Sequence, residues 1–267
     1  MTVLEIRNLC KTFGAGTVNE HVALDHVSLT VADEDFITIL GSNGAGKSTL
    51  FNAIVGTFLP DSGRIRLNGT DITFMKDHLR AHMIGIVFQD PMKGTAPDLT
   101  IEENLCLAYS RSFRLPLAKA VQRKDVAYLR DQLAVFGMGL EDRMHMKVGL
   151  LSGGQRQAMT LLMATIAKPR LLLLDEHTAA LDPGTAEKVL QTTVRIVKDQ
   201  KLPTMMITHN MASALALGNR TVMMDSGRVV LDVSGEERSG LQVPDLLRLF
   251  SGRAGKELDN DRMLLAH

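Results

Sequence analysis

Phe36-Ile37-Thr38-Ile39-Leu40-Gly41-Ser42-Asn43-Gly44-Ala45-Gly46-Lys47-Ser48-Thr49-Leu50 is the stretch that decides the fold. A mostly apolar run stops at Gly41, and Ser48 to Val55 continue with helical character, so the segment reads as strand, glycine loop, helix. Gly41 to Ser48 fit G-x-x-x-x-G-K-[ST] in the context that its mechanism requires. Glycines let the backbone curl with its N–H groups aimed at phosphates, and the helix N-terminus adds partial positive charge. Lys47 reaches the outer phosphates and Ser48 can ligate magnesium. The candidate residues for holding Mg2+-bound ATP are therefore Gly41, Ser42, Asn43, Gly44, Ala45, Gly46, Lys47, Ser48 and Thr49.

Working outward, Leu171-Leu172-Leu173-Leu174-Asp175-Glu176 is an apolar strand delivering two carboxylates at its C-terminal end, where α/β proteins place their ligands. Asp175 would hold magnesium through water, and Glu176 would take a proton from the water that attacks the terminal phosphate. Leu151-Ser152-Gly153-Gly154-Gln155-Arg156-Gln157 is a second anion-binding turn opening a helix. One ATP has a single terminal phosphate, already cradled by the first loop. The economical arrangement is two chains placed head to tail, each covering the ATP of the other.

The remaining segments give the organisation. Residues 3–7, Val22-Ala23-Leu24 and Val27-Ser28-Leu29 read as strands of an antiparallel sheet, and Ile84 to Phe88 as a short buried strand. Thr100-Ile101-Glu102-Glu103 has capping-box spacing and opens a helical region to about Phe136. Apolar positions between Thr185 and Gln200 recur at helical spacing, Thr204 to Thr208 is another strand, and Thr221 to Asp232 form a hairpin around Ser226-Gly227. Val243 to Phe250 have the pattern of an amphipathic helix, and the rest of the tail carries no identifiable site. The fold class is α/β, with a small N-terminal antiparallel β subdomain and an inserted α-helical subdomain. The expected divisions are 1–89, 90–168, 169–232 and a tail at 233–267.

Composition excludes several classes. Of 267 residues, 45% are hydrophobic and 22% charged, so a disordered chain is a poor reading. The formal net charge of zero provides no broad field for nucleic acid or anionic lipid, and no nucleic-acid partner is expected. Cys10 and Cys106 stand alone, without a CxxC pair or a His partner at metal spacing, so neither a disulfide framework nor a zinc site has support, and a reducing cytosol fits. Charges interrupt the N-terminus before any apolar signal region starts, and no apolar run approaches the roughly 20 residues of a spanning helix. Arg111, Arg114, Lys119, Arg123, Lys124 and Arg130 make the helical region locally basic, which reads as a solvated face.

With these motifs in order, the chain resembles the ABC ATPases, the nucleotide-binding subunits of ATP-binding-cassette systems, over roughly residues 3–232. The resemblance implies the P-loop NTPase core of that family and further roles. Phe13 matches the aromatic that stacks on adenine, and Gln89 the glutamine that contacts magnesium and senses the membrane partner. Ser152, Gly153, Gly154 and Gln155 match the signature loop acting in trans. Asp182 matches the loop between subunits, and His209 the switch histidine that positions the terminal phosphate with Glu176 and Lys47. The resemblance also implies a homodimer on the inner face of the cell membrane, bound to an integral membrane permease and served by an extracytoplasmic substrate-binding protein. Import of a small solute such as an amino acid is the first expectation.

The match has departures. His177 stands where the family usually has Pro after the catalytic Glu, and it reads as a tolerated turn residue. Asp175 to Thr178, together with Asn260 to Leu265, resembles a bacterial importer group. The rivals are a lipoprotein-release or mechanical ABC ATPase, a non-transport ABC ATPase, and a monomeric P-loop kinase or GTPase, which leaves Leu151 to Gln155 unexplained.

Overall fold

The computed structural model describes residues 1–112 and 122–254. The expectations placed on Arg114, Lys119 and the ending Asn260 to Leu265 lie outside the described residues. The chain divides into two units, Met1–Arg80 with Pro203–His267, and Ala81–Leu202.

In the first unit, β1 (Thr2–Phe13) and β2 (His21–Ala32) form a long antiparallel hairpin. β3 (Phe36–Leu40) leads to helix α1 (Lys47–Val55). β4 (Ser62–Leu67) and β5 (Thr70–Asp71) extend the antiparallel sheet in the order β2-β1-β4-β5. The segments around Val22 to Leu24 and Val27 to Leu29 belong to the single strand β2, which runs through an irregularity rather than stopping. β3 is buried along its whole length because it has a parallel neighbour on each side, β8 (Thr204–Ile207) and β9 (Arg220–Asp225). β9 turns through Ser226 and Gly227, both at positive φ, into antiparallel β10 (Arg228–Ser234).

Two arginines brace this unit through backbone carbonyls. Arg80, at the end of the short helix α2 (Asp77–Arg80), is fully buried. Its guanidinium donates to the carbonyls of Ala53 and Ile54 in the last turn of α1 and to those of Met75 and Thr73, at 2.8 to 3.0 Å. Arg238 lies on α8 (Gly235–Ser239) and donates to the carbonyls of Ala214, Leu215 and Leu217, closing the C-terminus of α7 (Met211–Ala216). The amphipathic pattern from Val243 forms α9 (Val243–Ala254), which buries Leu246 and Phe250 in one cluster with Leu40, Met211 and Met223. Val233, Leu246 and Phe250 thus belong to the core cluster at the end of β3.

In the second unit, β6 (Ile84–Val87) pairs in parallel with β7 (Leu171–Asp175). Helices α3 (Ile101–Ser110), α4 (Arg123–Ala134), α5 (Gly153–Thr165) and α6 (Pro183–Gln200) complete it. The capping box at Thr100 forms: its amide donates to Glu103 Oε2 at 2.7 Å and its hydroxyl accepts from the Glu103 amide at 3.2 Å. Arg111 departs from the solvated basic face, since it is half-buried and donates to the carbonyls of Met163 and Ala108. Arg130 stays at the surface, 2.9 Å from Asp142.

Candidate functional site

In the first unit, β3 delivers the glycine loop. The parallel register sets Ile39 opposite Ile207, so Gly41 and His209 each stand two residues beyond a paired position, on strands that neighbour one another. The Thr208 amide donates to the Ile39 carbonyl at 3.2 Å, carrying the pairing one step further. His209 is half-buried there, and Asn210 caps α7 by accepting from the Ser213 amide at 2.8 Å. The structure therefore brings the switch-histidine candidate to the start of the phosphate loop.

The loop ends on Gly46, the N-cap of α1, with φ 96°. A side chain here would be strained, and its Cβ would lie 2.5 Å from the Ala23 carbonyl oxygen. Gly46 provides no side-chain cap, and no acidic residue stands in the first turn of α1. The positive end of this helix is thus not neutralised by its own sequence. Lys47 is only 6% exposed, which is rare for lysine, and its ammonium donates to the carbonyls of Gly41 at 2.7 Å and Ser42 at 2.9 Å. Asn43, Gly44 and Ser48 lie at the surface, and the hairpin turn braces the loop where the Gly227 amide donates to the Ala45 carbonyl at 3.1 Å.

Phe13, at the end of β1, is 40% exposed and meets Phe58 edge to face, with ring centroids 5.2 Å apart. The Lys11 ammonium lies 5.5 Å from each ring centroid and 2.8 Å from Asp61. Sequence reasoning missed Phe58 and Lys11, because nothing in a lone Phe specifies the ring it will touch.

In the second unit, Val87 pairs with Leu174, so Gln89 and Glu176 both stand two residues past that pair. Asp175 closes β7, and Glu176 turns the chain with φ 45°. His177 stands in a turn, as its sequence suggests, but it is not at the surface. Its ring is 2% exposed, and Nε2 lies 3.1 Å from the Thr193 hydroxyl on α6. That hydroxyl donates its one hydrogen to the Val189 carbonyl at 2.8 Å, so it accepts from His177, which assigns the ring proton to Nε2. Burial pushes the His177 ring down to about 4, and it is neutral at pH 7.

Ser152 is the N-cap of α5 and closes a capping box: its hydroxyl accepts from the Gln155 amide at 3.3 Å, and its amide donates to Gln155 Oε1 at 3.2 Å. Ser152 and Gly153 are exposed, whereas a Cβ on Gly154 would collide with the Thr185 methyl at the start of α6. Asp182 caps α6 by accepting from the Thr185 amide at 3.0 Å, and Thr185 holds its carboxyl below the usual range. Signature loop and Asp182 turn therefore meet through Gly154.

Two further residues act here without a sequence signal. Arg156 donates to the carbonyls of Val148, Gly149 and Leu151, fixing the turn that presents Ser152. Gln157 is 1% exposed, and its Nε2 donates to the Phe88 carbonyl, next to Gln89, at 3.4 Å. Their spacing marks only a helix face, since their partners are backbone carbonyls that no residue type advertises.

An uncapped helix behind a glycine loop, at the C-terminal edge of a parallel sheet, defines a P-loop nucleotide-binding protein. Residues 24–179 match the family described as ABC transporter. A tyrosine transport ATP-binding protein of Clostridioides difficile is 41% identical over 93% of this chain and 98% of its own length. The lipoprotein-releasing system ATP-binding protein of Geobacter metallireducens is 36% identical over 86% of this chain and 99% of its own. A solved dimeric structure of a bacterial ABC transporter cassette superposes with a TM-score of 0.75 at 26% identity, covering 86% of this chain and 98% of that one. The chain belongs to the ABC transporter family as an ATP-binding subunit, and it is an ABC-type ATPase.

Proposed function

We propose that two copies of this chain close head to tail on two magnesium–ATP molecules, and that hydrolysis drives a separate integral membrane permease importing a small solute such as an amino acid. The glycine loop leading into α1, which has no side-chain cap and no acidic residue in its first turn, with Lys47 buried beneath the loop, carries the nucleotide part of this reading. Backbone N–H groups from Gly41 to Thr49 hold the phosphates, and the Lys47 ammonium exchanges carbonyl partners for phosphate oxygens. Phe13 stacks on the adenine. Ser48, Gln89 and Asp175, the last through water, form an all-oxygen donor set that suits a hard divalent cation. Magnesium, when bound, neutralises charge on the outer phosphate oxygens.

Glu176 takes a proton from water as the water oxygen bonds to the terminal phosphorus; the bond to the bridging oxygen breaks, and ADP and phosphate leave. His209 donates a hydrogen bond to the transferred phosphoryl group and helps to position it. Ser152 of the partner subunit covers the same phosphate through its exposed turn, and the Asp182 turns meet between subunits. The likeness to a solved dimeric cassette supports this arrangement.

For the permease we assign the surface of the second unit after Gln89. A cavity of about 280 Å³ there is lined by Ile86, Phe88, Pro91, Leu107, Arg111 and Met163, offering apolar walls and a cationic rim. None of the described helices is long and apolar enough to cross a membrane, so the position on the inner face of the membrane depends on this docking. The tyrosine transport relative supports an amino acid as the solute, and the lipoprotein-releasing relative supports the second reading, a lipoprotein-release role.

The test is reconstitution with the membrane protein encoded beside it. Import predicts ATP-dependent uptake of labelled tyrosine or a related amino acid into vesicles, with binding protein raising ATPase activity. Activation instead by a partner with few spanning helices and a large outer domain would favour the second reading.

A further inference from the structure

Cys10 has no histidine at metal spacing along the sequence, but the β1–β2 hairpin brings His26 to it across the strands. Leu9 pairs with Val27 and Lys11 with Leu24, so the single residue Cys10 faces two residues, Asp25 and His26. This is a β-bulge, which re-aims side chains that a regular strand would send to opposite faces. His26 takes the left-handed position of the bulge, with φ 52°. That conformation is common for glycine, and among other residues histidine adopts it more readily than most.

The bulge gathers three different ligand atoms. The thiol, a ring nitrogen and a carboxylate oxygen of Cys10, His26 and Asp25 all lie within 4.8 Å of one another. The His26 amide donates to Cys10 Sγ at 3.4 Å, holding the sulfur against the bulge. His26 Nδ1 is 2.7 Å from Asp25 Oδ1, while Arg228 Nε donates to Asp25 Oδ2 at 2.7 Å. Arg228 therefore orients the carboxylate through one oxygen and leaves the other turned to the histidine. Beside the cluster, a cavity of about 490 Å³ is lined by Asp25, His26, Ser28, Arg228 and Val229, giving access from solvent.

We propose that Cys10, Asp25 and His26 bind a divalent transition-metal ion of the zinc class, with a fourth position open to water. One sulfur, one nitrogen and one oxygen suit Zn2+ or Co2+ and not Mg2+ or Ca2+, which take oxygen alone. Tetrahedral ligands around zinc stand about 3–4 Å apart, close to the separation of at most 4.8 Å that the three ligand atoms have here. Binding displaces the Cys10 thiol proton and leaves both Zn–S and Zn–N bonds to residues of one hairpin. The inference needs nothing from the nucleotide reading, because all three ligands and Arg228 belong to the strands of the first unit.

The test uses the full chain, stripped with a chelator and titrated with Co2+. One Co2+ per chain should bind and give a near-ultraviolet thiolate-to-cobalt band that Zn2+ abolishes and excess Mg2+ does not. Cys10→Ser should lose the band, and His26→Gln and Asp25→Asn should each weaken binding roughly tenfold or more, while Cys106→Ser changes neither. The unaltered chain gives a second measurement, independent of any variant's folding: Zn2+ should slow alkylation of Cys10 and leave Cys106 unprotected, as read by peptide mass spectrometry. A band that survives Cys10→Ser, affinity unchanged in His26→Gln, or alkylation of Cys10 unaffected by Zn2+ would each overturn the proposal.

Discussion

Two helices of this chain begin at glycine-containing turns, and they treat their N-termini in opposite ways. α1 starts on a glycine with no side-chain cap and no acidic residue in its first turn. α5 starts on Ser152 and closes its own capping box with Gln155. The first terminus has no side-chain cap from its own N-cap residue, whereas the second closes one and must trade its own hydrogen bonds for any phosphate it meets. The difference fits the proposed division of labour, in which the glycine loop of the first unit holds nucleotide and residues of the second serve closure and turnover.

The largest expected effect tests the second half of that division. Glu176→Gln should lower the hydrolysis rate by roughly 10²–10⁴-fold while nucleotide affinity stays within twofold of wild type, measured by phosphate release and fluorescent-nucleotide binding, and should accumulate a nucleotide-bound dimer. A variant that lost affinity and rate together would erase the contrast between the units.

His177 sharpens it by showing how firmly the Glu176 turn is held. Its pKa is pushed by burial to about 4, below the roughly 6.5 of an unfolded histidine. The unfolded chain therefore binds the extra proton first. The contribution is fully present above pH 6.5, declines as pH falls from there towards 4, and is on the order of 3 kcal/mol over the window. His177→Gln should flatten this slope in urea-unfolding midpoints taken between pH 7 and 4; an unchanged slope would show that the ring carries no such linkage.

Lys47→Ala addresses the first half. Losing a charge-assisted contact to phosphate should cost about 2–3 kcal/mol of nucleotide affinity, roughly 30- to 150-fold. Tight binding by this variant would mean that the uncapped helix suffices without the ammonium. Smallest is Ser152→Ala, which removes the cap of α5 and should cost about 1 kcal/mol in thermal unfolding with nucleotide affinity of the isolated subunit unchanged. Ser152→Arg should likewise spare binding but block dimer formation by the Glu176→Gln chain, as followed by size-exclusion chromatography.

The sequence was most legible where one residue type has one physical job. Phe36 to Leu40, an apolar run stopping at Gly41, read as a strand ahead of a glycine loop, and Thr100 with Glu103 announced a capping box that the structure forms. Illegible were the features whose second partner is backbone. Arg80, Arg111, Arg156 and Arg238 look like surface charges, yet each donates to main-chain carbonyls. The β2 bulge was equally hidden, since Val22 to Leu24 and Val27 to Leu29 alternate in different phase and invite a break at Asp25. The same bulge concealed the meeting of Cys10 with His26, because pattern reading looks for metal ligands at short spacing. The burial of His177 was hidden for a related reason: a turn position says nothing about the helix that covers it.

Arg80 has a mechanical corollary. α1, about 13 Å long at 1.5 Å per residue, is bolted at its far end by a guanidinium that cannot shed its charge and has four carbonyls in its grip. A load applied at the front of that rod is carried straight back to the Thr73–Met75 segment instead of being lost as fraying. The compliant element is then the loop ahead of the rod, which must flex on a fixed stop.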